Sequence, residues 1–201
     1  MKDSRIAIRP ASPDDAAQIL AIYGPYIENT AITFEYEVPS VEEFRQRIGN
    51  IMSKFPYLVA VDQESGNIIG YTYANTFRSR KAYDWSVELS IYLAPHAKGN
   101  GTGRRLYTAL EQILTMQNIK ILVATITEPS GGDDTYADNA SVNFHKAMGF
   151  SLAGNIHRCG FKFGNWYDTV YMEKFLGQQA SALDPVKPFF DVVSQINFEI
   201  L

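Results

Sequence analysis

The stretch "HAKGNGTGRRLYTAL", residues 96–110, decides how the chain is read. Gly99, Gly101 and Gly103 fall within five positions, followed by Arg104 and Arg105 and then an apolar pattern of helical period. Glycine inside a helix costs about 0.5–1 kcal/mol relative to alanine. The stretch therefore asks for bare backbone just where a helix begins. No lysine follows the last glycine, which argues against the G-x-x-x-x-G-K-[ST] phosphate loop. The G-x-G-x-G spacing, late in the chain, fits a G-x-G-x-x-G dinucleotide fingerprint poorly. Two readings remain. One is a plain strand-to-helix turn. The other is a loop whose N–H groups join the helix N-terminus in holding a pyrophosphate, with the arginines adding positive charge.

Outward from the stretch, "WSVELSIYLA" before it reads as a strand. Leu106, Leu110, Ile113 and Leu114 after it share a helical face. "IKILVATI" is short and nearly all apolar, as in a strand buried on both faces. A polar loop, "TEPSGGDDTYAD", leads to "NASVNFHKAMGF", a helix ended by Gly149. "SLAGNIHRCGFKFGNWYDTVYMEKFL" gives two last strands around "FGN". Upstream, "RIAIRP" alternates as a first strand. Ser12, Pro13 and Asp15 open a helix that Pro25 should end or kink. Ser40 and Glu43 open a second helix. "YLVAVD", "ESGN" and "IIGYTYANTF" form a hairpin signature. The order is strand, two helices, three strands, helix, strand, helix, two strands. It predicts an α/β (α+β) domain with a mixed sheet of about seven strands flanked by helices, over residues 1–176. Residues 177–201 form a tail that packs on its own domain or on a partner.

Bulk properties narrow the function classes. The 201 residues are 46% apolar and 20% charged, enough for a packed core. A net charge of −4 argues against a nucleic-acid binder. No apolar run approaches the ~18 residues of a membrane span, and "MKDSRIAIRP" lacks the apolar centre of a signal peptide. A cytoplasmic location is expected. The single cysteine, Cys159, excludes an intramolecular disulfide and a cysteine-rich metal site, and no metal is expected.

"KGNGTG" resembles the acyl-CoA loop of the GNAT acetyltransferases, [QR]-x-x-G-x-[GA], with Lys98 where that family carries Gln or Arg. "NASVNFHKAMGF" resembles the family's second CoA segment. "AYDWSVELSIYLAP", "LYTALE" and "GFKFGNW" are similar to the phosphinothricin and methionine-sulfoximine acetyltransferase branch, over about Ile6 to Phe175. The "EPSGGDDTYAD" loop is longer than that branch's, and the tail departs from it. The resemblance implies a mostly antiparallel GNAT sheet and acetyl-CoA as cosubstrate. It also implies a small amino-acid-like amine as acceptor and a homodimer.

The chemistry assigns candidates. Forming an amide from a thioester needs a neutral amine, a donor for the oxyanion, relief of the leaving thiolate and firm positioning. Glu88 is a carboxylate inside an otherwise apolar strand, read as the base at the amine or as a salt-bridged glutamate beside Arg78 or Arg80. His145 stands where the branch carries His and the wider family a tyrosine acid, read as relieving the thiolate or as a satisfied helix histidine. The resemblance places the cofactor at Tyr92, Leu93, Lys98, Gly99, Asn100, Gly101, Thr102, Gly103, Arg104 and Asn139. Asn139 doubles as a helix cap. The resemblance also implies a backbone N–H within Ser90–Leu93 as the donor to the oxyanion. Arg78 and Arg80, with Lys81, offer cations for an acidic substrate group, and Phe34, Tyr73 and Tyr83 are expected to wall its pocket. Nothing sets Cys159 beside a base, so direct attack is expected rather than an acetyl-cysteine route. Two other readings stay open: an acetyltransferase for a protein N-terminus, lysine or other amine, and a non-catalytic acyl-CoA-binding module.

Overall fold

The computed structural model describes residues 6–131, 134–177 and 182–198. Arg5 of the first strand, residues 132 and 133 of the polar loop, and residues 178–181 and 199–201 of the tail lie outside the described residues. Seven strands form one sheet in the order β1-β2-β3-β4-β5-β7-β6. They are β1 (Ile6–Pro10), β2 (Tyr57–Asp62), β3 (Ile68–Thr76), β4 (Ser86–Leu93), β5 (Ile121–Pro129), β6 (Ser151–Lys162) and β7 (Asn165–Phe175). Every neighbouring pair is antiparallel except β4–β5. That parallel pair needs a crossover, and the glycine stretch with α3 (Thr102–Met116) supplies it.

Helices cover both faces. α1 (Ala16–Asn29) and α2 (Val41–Met52) lie over the face that carries Tyr57, Tyr71, Tyr73 and Tyr92. α3 lies on the other face, where Leu106 reaches the bare backbone of Gly70. α4 (Ala140–Ala147) joins it there, and His145 and Phe144 pack against Tyr107. The core stripe Leu106, Leu110, Ile113 and Leu114 is fully buried, as its spacing predicts.

Two local expectations are revised. Pro25 does not end α1, which continues to Asn29. Its missing N–H would have bonded Ala21, on the exposed side of the helix, while Ile22, Tyr23, Gly24 and Ile27 stay buried. Asn29 and Thr30 side chains then hold the Pro25 and Tyr26 carbonyls. Asn139 occupies the cap position of α4, but its side chain makes no cap bond. The bond at that end is Asp138's local turn, accepting from the Ala140 N–H at 2.9 Å.

The tail residues described, 182–198, lie under the domain. α5 (Phe189–Val193) buries Phe189 and Val192 in the main core. Gln117 donates to the carbonyls of Lys54 and Lys187, and Trp85 donates to that of Asp184.

Candidate active site

β4 and β5 pair only from Ser86/Ile121 to Leu89/Ala124 and then part. Along β4 successive residues point their backbone groups to alternate sides. The Ala94 N–H reaches Ile69 on the β3 side, so Ile91 and Leu93 turn theirs toward the parting. The Leu93 carbonyl is taken there by the Tyr26 hydroxyl at 2.7 Å. Two connected hollows occupy the gap, of about 50 and 270 Å³, sharing Ile32, Ile91, Asp138 and Ser141.

The larger hollow ends on the glycine stretch at Lys98 and Gly99, with Phe144 and Tyr26 as walls. Lys98 Nζ lies 5.0 Å from the centre of the Tyr26 ring. Gly99 and Gly101 hold φ of +75° and +92°, the left-handed region, with open space where a Cβ would stand. Gly101 caps α3, whose first N–H groups lack helical partners by geometry. Thr102 turns its own N–H to Asn100 Oδ1 at 3.1 Å. Gly103 is different: a Cβ would come 3.2 Å from Phe144 and 3.4 Å from Leu93, so its bare backbone lets α3 approach. Arg104 is exposed, with one long bond, 3.5 Å, to the Ala147 carbonyl.

Tyr107 and His145 line the smaller hollow. His145 is buried, and Nδ1 lies 2.7 Å from the Ser141 carbonyl, which can only accept. The proton therefore sits on Nδ1, and Nε2 accepts from the Tyr107 hydroxyl at 2.9 Å. Burial pushes the imidazole pKa down, against the Ser141 bond, so the ring is neutral near pH 7.

Glu88 faces the opposite side of the sheet. It pairs with Asn75 and shares a face with Tyr73 and Ser90. Tyr73 has its phenol pKa raised by burial, eased by a bond to Ser90 and raised further by the Glu88 charge. No ion pair among the described residues uses Glu88, Arg78 or Arg80. Arg78, Arg80 and Tyr83 sit exposed on the loop entering β4; Arg78 lies against Phe77, and Tyr83 packs edge-on to the same ring. Phe34 is elsewhere, on the loop after α1, with its ring over Gly160. The acceptor candidates thus come from separate segments.

Comparison with known proteins decides the family. The family model described as "Acetyltransferase (GNAT) domain" matches residues 8–171. A phosphinothricin N-acetyltransferase of Alcaligenes faecalis is 36% identical over 83% of this chain and 81% of its own. An L-methionine sulfoximine/L-methionine sulfone acetyltransferase of Pseudomonas paraeruginosa is 30% identical over 88% and 98%. A GNAT phosphinothricin acetyltransferase from Sinorhizobium meliloti, solved with acetyl-CoA, superposes with a TM-score of 0.79 at 34% identity, covering 92% of this chain and 98% of that one. The chain belongs to the GNAT acetyltransferases.

It is an acetyl-CoA-dependent N-acetyltransferase. This GNAT chain fits that donor on its own geometry: open-faced glycines at a helix N-terminus lead into a long, partly apolar gap flanked by unpaired strand backbone. Sequence reasoning missed Tyr26, Ile32, Tyr107, Asp138 and Ser141 as lining residues. For Tyr107 the signal was a hydroxyl next to an apolar helical stripe. For the others there was none, because separate elements bring them together: Tyr26 from α1, Ile32 from the loop after it, and Asp138 and Ser141 from the start of α4.

Proposed function

We propose that this enzyme acetylates the amino group of a small amino-acid-like acceptor of the phosphinothricin, methionine sulfoximine or methionine sulfone type. The observation that carries the mechanism is the parting of β4 and β5 beyond Leu89/Ala124. It opens a passage with Glu88 on one face of the sheet and the Tyr107–His145 pair on the other.

In this reading, acetyl-CoA supplies the acetyl group already activated as a thioester. The amides of Gly99 to Arg104, apart from that of Thr102, which stays on Asn100 Oδ1, hold its diphosphate, with Lys98 beside them, and Tyr92, Leu93 and Asn139 border the arm. Glu88 takes the proton of the acceptor ammonium, directly or through a water, which frees the lone pair for attack. The Ile91 N–H meets the negative charge that grows on the carbonyl oxygen. Across the sheet, as the carbon–sulfur bond breaks, the Tyr107 hydroxyl gives the departing thiolate the proton it otherwise donates to His145 Nε2, and the surplus proton of the new amide nitrogen returns to Tyr107 through water. Arg80 and Arg78 bind the acceptor's acidic group, a match for their planar forks, with Phe34, Tyr73 and Tyr83 around it. Relatives named for these acceptors support the choice, as do arginines free of ion pairs among the described residues. The unit is a homodimer in the cytoplasm. The exposed apolar side chains Leu152, Ile156, Phe161 and Trp166 of β6 and β7 support self-association.

The test is CoA release with phosphinothricin, methionine sulfone, a polyamine and an N-terminal peptide. Turnover is expected with the first two. Arg80→Ala should raise their KM about 10-fold at little cost to the acetyl-CoA KM. Turnover with the polyamine or peptide alone would overturn the substrate class.

A further inference from the structure

Lys162, the last residue of β6, is only 2% exposed. Burying an ammonium costs several kcal/mol unless its protons are satisfied. Here they are: Nζ donates to the carbonyls of Ile27 at 2.7 Å, Thr30 at 2.9 Å and Thr33 at 2.8 Å. Three donors meet three acceptors, and only the charged form offers three protons. All three carbonyls belong to the end of α1 and the loop that follows. The last turn of α1 has no basic residue of its own, so Lys162 brings from β6 the positive charge a helix C-terminus favours.

The two residues before Lys162 grip the same loop. A Cβ on Gly160 would lie 2.1 Å from the Phe34 ring, so the ring rests on bare backbone. The Phe161 carbonyl accepts from the Tyr36 hydroxyl. From a third side the Ala31 N–H donates to the Tyr136 carbonyl at 2.8 Å. Ile32, in the middle of the held loop, borders both hollows of the cleft.

We propose that Lys162 is a positioning residue for acceptor binding: by clamping the carbonyls of Ile27, Thr30 and Thr33 it fixes the loop that carries Ile32 to the cleft and seats Phe34 on Gly160. The inference rests on the acceptor site proposed above. A lysine that merely stabilised the fold would affect both substrates alike; a clamp on this loop affects the acceptor, which meets Phe34, more than acetyl-CoA, whose hollow the loop touches at Ile32 alone.

Two variants test it, Lys162→Met and Gly160→Ala. The second leaves the ammonium in place and displaces the Phe34 ring. For each, KM for methionine sulfone and for acetyl-CoA, kcat and amide hydrogen exchange are measured. Expected is a rise of about 10-fold in the acceptor KM with the acetyl-CoA KM within about twofold. Exchange should also quicken about 10-fold over residues 30–36 and not in α3. Equal changes in both KM values, or exchange that quickens uniformly or not at all, overturns the proposal. If Lys162→Met does not fold, Gly160→Ala decides by the same criteria. If the parent acetylates no amino-acid analogue, the substrate reading has failed, and the exchange pattern alone judges the clamp.

Discussion

The two sides of the cleft are built by different means. In the proposed site the seat for the donor's diphosphate is one continuous segment, residues 98–104, where left-handed glycines and a helix start put amides on an open surface. The proposed acceptor side draws on three segments far apart in sequence: the loop after α1, strand β3 and the loop entering β4. Glycine illustrates the contrast. Gly101 has open space beside it, room for a ligand, whereas Gly160 is already filled by Phe34. A shared chemical group can be held by local backbone, while a particular acceptor calls for side chains gathered from several elements.

Four measurements would break or sharpen this division. Glu88→Gln should lower kcat by about 100-fold or more, the scale of a lost general base, while calorimetry gives unchanged acetyl-CoA binding. Loss of both together would place Glu88 on the donor side. Gly101→Val forces a β-branched residue into a left-handed conformation, at a cost on the order of 1–2 kcal/mol. It should raise the acetyl-CoA KM about 10-fold and spare the acceptor KM; the reverse split would refute the assignment of the glycine loop.

The third measurement uses pH. His145 is held neutral, its pKa lowered by burial. Between that lowered value and 6.5 the unfolded chain binds more protons than the folded one, so stability rises with pH across the window and falls on acidification. Urea unfolding at pH 5.5 and 7.5 should show a smaller pH difference in His145→Asn than in the parent. An equal difference would assign the dependence to other groups. The smallest effect is expected from Cys159→Ser. The thiol is exposed on β6 and bonds Thr169 Oγ1 at 3.0 Å, outside both hollows. Turnover should stay within about twofold; a collapse would revive a covalent route.

What was legible in the sequence follows the same line. The element order rests on period, caps and glycine spacing, all local, and it holds in the structure, with the glycine stretch between β4 and α3. Glu88 stood out because a carboxylate in an apolar strand is a local anomaly. Lys162 did not, since its three acceptors lie 129 to 135 residues away. Tyr107 lies next to the α3 stripe that the spacing marks, and its link to His145 appears only when α4 docks. Pro25 misled because local propensity yielded to the packing of Tyr23 and Ile27. Asn139 makes no cap bond, and the bond at that end is Asp138's local turn onto the Ala140 N–H two residues on.

The strand order carries a consequence for biosynthesis. Because β7 sits between β5 and β6, β5 cannot complete its hydrogen bonds when β6 emerges from the ribosome. Its apolar edge waits until residues 165–175 have been made, and a stalled or clipped product ending before them would present a sticky ribbon to its neighbours.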